Sequence, residues 1–132
     1  MARRQFDLPS FDVSYLDGTG LVWETIVEGD ALWLLLHDRR LHGGYNVDKA
    51  IVAIRISPGY PEAQLDMAYF SPPLARSDGR GVNNLSPLTI DTKPFQQWSR
   101  HRTNENSWRS GEDDVSSHLA LVDGWLEKEF RR

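Results

Sequence analysis

The stretch that most limits what this chain can build is ALWLLLHDRR, residues 31–40, a mostly apolar run bracketed by Gly29-Asp30 and Gly43-Gly44. A membrane-spanning helix needs about 20 apolar residues. A run this short, with glycine breaks at both ends, is expected to be a central β-strand. Its neighbours carry the same signal. LVWETIVEG, from Leu21, leads into the Gly29-Asp30 turn. KAIVAIRIS alternates, with Ile51, Ala53 and Arg55 on one face and Val52, Ile54 and Ile56 on the other. Three strands joined by turns predict an antiparallel meander.

Prolines then punctuate the chain. Pro58 and Pro61 cannot donate to a ladder and stop the third strand; a short fourth strand is expected from Asp66 to Ser71, ended by Pro72-Pro73. Residues 75–94 show no period and are expected to be a long functional loop. Upstream, residues 5–19 hold at most a short helix from Ser10 to Leu16 with Ser10 as N-cap. The strongest helical signal comes last. Val115, Leu119, Val122, Leu126 and Phe130 step by four, three, four and four, one stripe of a helix over about 112–130. Ser110 and Asp113 have capping-box spacing for its start. The order predicts a single α+β domain over residues 1–132, a four-stranded antiparallel meander packed against a C-terminal helix.

Between the loop and the helix lies FQQWSRHRTNENSW, residues 95–108. On an extended backbone Ser99, His101 and Thr103 share one face, and Trp98, Arg100 and Arg102 the other. Read blandly, the tryptophans pack and the serine makes a surface hydrogen bond. Read functionally, a hydroxyl and an imidazole share a face. His37, His42 and His118 lack the spacing to carboxylates that a metal site requires, so no metal or other cofactor is expected, and His118 is expected to hydrogen-bond from the side of the helix. Arg39, Arg40, Arg100 and Arg102 are expected to be solvated charges able to meet an acidic partner surface, and Asp113 and Asp114 to be capping residues.

Composition narrows the function classes. The 132 residues contain no cysteine, so disulfides, thiolate metal sites and protein-bound thioesters are excluded. A formal charge of −4 gives no general attraction to polyphosphate, which argues against nucleic acid as a partner. Met-Ala-Arg-Arg is followed by Gln-Phe-Asp rather than an apolar run, so no signal peptide, no membrane partner and a cytoplasmic location are expected.

The ordered set LDGTGLVWETI, GYPEAQLDMAYFSPPL, WSRH, W-x-x-G-x-D-D and HLALVDGWLE, over about residues 8–130, resembles the ubiquitin-conjugating (E2, UBC) fold. In particular it resembles the bacterial branch called prokaryotic E2 family E, found beside ubiquitin-like proteins and their activating enzymes. The resemblance implies an acyl transferase of ubiquitin-like conjugation, with three partners: a ubiquitin-like protein, an E1-like activating enzyme and a target protein. In such enzymes the catalytic cysteine lies about eight residues before a Trp; counting back from Trp108 gives position 100, and the nearest hydroxyl is Ser99. The His-Pro-Asn motif of the family is absent. Asp91 lies at about the spacing of its Asn, while Asn83 and Asn84 have the residue type at a different place.

A serine at this position accepts an acyl group as an oxyester if a base removes its proton. His101 is the nearest base in sequence, Asp91 or another carboxylate is available to orient it, and the backbone amides of Ser99 and Arg100 are candidate oxyanion donors. The alternative is an inactive E2-like domain that only binds the ubiquitin-like protein or its activating enzyme. A small hydrolase lacks support because there is no G-x-S-x-G elbow.

Overall fold

The computed structural model describes residues 2–131. Its core is a six-stranded antiparallel sheet: β1 (Trp23–Glu28), β2 (Ala31–Arg40), β3 (Lys49–Arg55), β4 (Ala68–Ser71), β5 (Leu85–Ile90) and β6 (Lys93–Trp98), in the order β1-β2-β3-β4-β6-β5. Two helices, α1 (Ser10–Gly18) and α2 (Val115–Lys128), accompany it. The expected meander of four strands is therefore present, α+β with a C-terminal helix, and two further strands extend it. No helix among the described residues is long and apolar enough to cross a membrane.

The extra strands lie where no regular structure was expected. Residues 85–98 form a hairpin whose turn, Asp91-Thr92, has φ of 53° and 61°. Two consecutive positive φ values are the geometry of a type I′ turn, usually written Asn-Gly or Asp-Gly. Here Thr stands in the glycine position, and Pro87 and Pro94 sit inside the strands, so neither the turn nor the strand signal was readable. β4 is also shorter than expected and starts at Ala68, because Met67 takes a φ of 58° that leaves the extended region.

Alternation along the strands divides the apolar residues into two clusters. One holds Trp23, Leu34, Leu36, Val52, Ile54, Phe70 and Trp98 under α1 and α2. The other, on the opposite face, holds Ile26, Trp33, Leu35, Ala53, Tyr69, Ile90 and Phe95. Among the described residues no helix packs against this second face. The β5–β6 hairpin covers it instead, which requires a strongly curled sheet. The curl is pinned at the hairpin tip. The Asp91 amide donates to Glu28 Oε2 at 2.7 Å, and Arg3 bridges Glu24 (Nε to Oε2, 2.8 Å) and Asp91 (Nη2 to Oδ2, 2.6 Å). Hydrogen bonding to Arg3 holds the Glu24 carboxyl down to about 2 and the Asp91 carboxyl below its ordinary range. Residues 3–5 also run along β1, with Thr25 N donating to Arg3 O and Gln5 N to Thr25 O.

Both helix starts differ from expectation. α1 begins with Ser10 as its first residue rather than its cap; Pro9 takes the N-cap place and offers no side-chain cap. α2 begins at Val115, not 112, because the capping box is Asp114 with Ser117, while the Ser110 hydroxyl donates to Glu62 O. A second carboxylate serves the same helix end. Buried Asp12 of α1 accepts from Val115 N (3.1 Å) through Oδ1 and from the Tyr60 hydroxyl (2.5 Å) through Oδ2. The other end is clasped by Tyr45, whose hydroxyl donates to Leu126 O, and by Arg76, which donates to Glu129 O and lies over the Phe130 ring. Phe130 in turn rests on Gly44, where φ is +108° and a Cβ would come within 2.6 Å of Cζ.

The stripe of α2 is buried as its spacing predicts: Val115, Leu119, Val122 and Leu126 are each at most 1 % exposed. Leu119→Ala is expected to lower stability by about 2–5 kcal/mol through lost burial and the cavity left behind. The measurement is the urea midpoint at constant m-value.

Candidate functional site

β6 delivers Ser99. It is paired on both sides, Trp98 lying opposite Ala68 of β4 and Leu85 of β5. Trp98 is fully buried, its Nε1 donating to Gln96 Oε1 (2.8 Å) and its ring meeting Phe70 edge-on. One residue later the chain leaves the ladder. Ser99 N still donates across to Asn84 O at 3.0 Å, and Arg100 N folds back onto Trp98 O at 2.9 Å. The backbone at Ser99 is thus a tight turn, and the extended run on which Ser99 and His101 would share a face ends at Trp98. Both amides proposed as oxyanion donors are already engaged.

The side chain of Ser99 keeps the alternation of the strand and shares a face with Gln97. Gln97 Nε2 donates to Ser99 Oγ at 3.0 Å, the one hydrogen bond to that oxygen among the described residues. His101 does not bond to Ser99. Its Nδ1 meets Asp66 Oδ2 at 2.9 Å, and its side chain is 69 % exposed, so Nε2 looks toward solvent. Thr103, expected on the same face, instead accepts from Glu105 N and caps the 3-10 turn Asn104–Asn106.

The hairpin does not bring Asp91 to Ser99. Asp91 sits in the turn at the far end of β5 and β6, roughly 20 Å away at about 3.4 Å per residue, and is held there by Arg3 and Lys93. The carboxylate that orients His101 is Asp66. What residues 75–94 do deliver is Asn83 and Asn84, the latter in a left-handed conformation (φ 60°) with its carbonyl on the Ser99 amide. Their carboxamides border a cleft of about 320 Å³ shared with Arg100, His101, Trp125 and Lys128.

Three of the four arginines expected to be solvated charges are tied into the fold. Arg39 pairs with Asp123. Arg100 donates to Asn83 O, pairs with Glu129 and lies over Trp98. Arg102 is the most constrained. Its Nε donates to Leu65 O (2.8 Å), Nη1 to Asn106 O (3.2 Å) and Nη2 to His118 Nδ1 (2.8 Å), with Trp108 against its face. Arginine only donates, so Nδ1 of His118 is the acceptor and Nε2 carries the proton, which it gives to Met67 O at 2.8 Å. His118 is fully buried, and desolvation pushes its pKa down to about 4. The segment that follows Ser99 is therefore anchored to α2 through a neutral histidine.

A chain in which a four-stranded meander, with a Tyr-Pro turn before its fourth strand, is followed by a strand-end hydroxyl, a half-buried Trp and a packed C-terminal helix has a recognisable counterpart. The model of prokaryotic E2 family E matches residues 8–129. The chain belongs to that family. It is accordingly an E2-like protein of ubiquitin-like conjugation. No curated protein and no solved structure matches the chain.

Sequence reasoning missed two groups that hydrogen-bond the candidate residues Ser99 and His101. Gln97 was findable, since it lies two residues before Ser99 on a strand. Asp66 was not, because it is distant in sequence and the chain gives no local sign of its pairing with His101.

The buried histidine gives the fold a pH dependence. The folded pKa of His118, about 4, lies below its ordinary 6.5, so the unfolded chain binds the extra proton between those values. Stability from this group is full above pH 6.5 and declines by about 3 kcal/mol as pH falls to 4. Urea unfolding at pH 7 and 4.5 is expected to show a smaller loss for His118→Gln than for the wild-type chain.

Proposed function

We propose that this E2-like protein is a transferase that carries a ubiquitin-like protein on Ser99 as an oxyester. The observation that carries the reading is the hydroxyl fixed at the end of β6, in contact with Gln97 and followed two residues on by His101, itself paired with Asp66, in an E2-family chain without cysteine. An E1-like enzyme presents the C-terminal carboxyl of the ubiquitin-like protein as a thioester. Ser99 Oγ adds to that carbonyl carbon, its proton passes to His101 Nε2 through a bridging water, and the C–S bond breaks with its electron pair on the departing sulfur. The His–Asp pair suits the task, because Asp66 fixes the ring through Nδ1 and leaves Nε2 as the basic atom. The acyl group then passes to an amine or hydroxyl of a target protein.

An inactive binding domain is the second reading. It is favoured by the engaged amides of Ser99 and Arg100 and by the absence of a direct bond between His101 and Ser99 among the described residues.

One experiment separates them. The chain is incubated with ATP, a cognate ubiquitin-like protein and its activating enzyme. The transferase reading expects a covalent adduct that survives thiol reductant and is cleaved by hydroxylamine or mild base. Ser99→Ala is expected to abolish it, Ser99→Cys to give a reductant-sensitive adduct, and His101→Ala to slow loading about a hundredfold. Binding of both partners without an adduct establishes the second reading.

A further inference from the structure

The geometry points to Gln97 as a third catalytic residue beside Ser99 and His101, the hydrogen-bond donor that stabilises the Ser99 oxygen when it leaves. The inference rests on the oxyester reading above and concerns its harder half, discharge. When an acceptor amine attacks the ester carbonyl, the new C–N bond forms and the C–Oγ bond breaks with its electron pair moving onto Oγ. The proton lost by the amine ends on Oγ and restores the hydroxyl. An alkoxide is a far more basic leaving group than a thiolate, whose conjugate acid has a pKa of about 8.5. A serine at this position therefore needs a donor on its oxygen during bond breaking, to a degree that a cysteine does not.

Among the described residues, one candidate meets that need. The amides of Ser99 and Arg100 donate to Asn84 O and Trp98 O, and the Arg100 guanidinium is committed to Asn83 O and Glu129. His101 is turned to Asp66. Gln97 Nε2 alone is on the oxygen, at 3.0 Å. Its position is set by the ladder, since Gln97 lies opposite Tyr69 on β4 and Ser86 on β5 and its backbone is fixed on both sides. A carboxamide also suits both states of the site. The free hydroxyl can accept from Nε2 or donate to Oε1, whereas the ester oxygen can only accept. Half-burial removes part of the competing water, which strengthens a hydrogen bond to developing charge.

The test is a single-turnover chase. The chain is loaded with a cognate ubiquitin-like protein, its activating enzyme and ATP; loading is stopped by removing ATP; and decay of the adduct is followed in free L-lysine. Wild type, Gln97→Leu, Ser99→Cys and the double variant are compared, with Gln97→Glu as a variant of the same shape lacking the donor. The expected result is a 10- to 100-fold slower discharge of the oxyester in both Gln97 variants, and at least a tenfold smaller effect of Gln97→Leu on the thioester. That difference between backgrounds is what a merely structural role would not produce. Equal slowing of ester and thioester, or wild-type discharge in Gln97→Leu, overturns the inference and leaves the oxyester reading intact. A wild-type chain that never loads overturns both. A folding defect is read separately from thermal melts: if both Gln97 variants lose the melting transition, Gln97 is structural and the inference falls.

Discussion

Burial of Trp98 is the constraint on which the site depends. A side chain of that size, with no solvent exposure and its indole N–H satisfied by Gln96, fixes the end of β6 in every direction. The residue before it and the residue after it inherit that rigidity on the opposite face, which is how Gln97 and Ser99 come to be 3.0 Å apart without any loop having to be ordered for the purpose. The Arg100 guanidinium over the Trp98 ring extends the same anchor to the far side. Sites built on strand ends hold their geometry better than sites on loops, because the ladder sets the backbone before the side chains are placed.

What the sequence disclosed follows from which contacts are local. The 4-3-4-4 stripe of α2 and the alternation of β3 are periodic, and periodicity is set by each element alone, so both were legible. The β5–β6 hairpin was not, because Thr92 and the two prolines give no local sign of strands whose pairing is fixed by the distant residues they cover, Trp33, Leu35 and Tyr69. The candidate site divides the same way. Ser99 was singled out by the family resemblance through its distance to Trp108, and His101 by proximity. Asp91 has the right residue type for an orienting carboxylate, yet its partners are Arg3 and Lys93, and Asp66 takes that place across the fold. A capping box written as Ser110 and Asp113 was displaced by an equally good one a few residues later, since Asp12 arrives from α1 to serve the Val115 amide.

The linkage between α2 and the segment after Ser99 uses a neutral histidine where a carboxylate would be more usual beside a half-buried guanidinium. Arg102 has two backbone carbonyls and His118 as its hydrogen-bond partners, and the nearby charges of Asp66 and Asp113 act at longer range. A carboxylate in place of His118 would form a buried ion pair, with the desolvation of two charges to offset. The imidazole needs only one.

The two edges of the sheet are closed by different means. Along β1 the main chain of residues 3–5 takes up the outward-facing groups of Thr25. At β5 the outer strand is short and carries Pro87, which has no N–H to offer. A long unpaired strand is a template on which a second copy can add itself, and repeated addition is the start of a fibril. Among the described residues, main chain covers part of the β1 edge, and Pro87 interrupts the β5 edge. Each device makes its edge a poorer template for an added strand, and Arg3, by holding the N-terminal segment to Glu24 and Asp91, keeps the first of them in place.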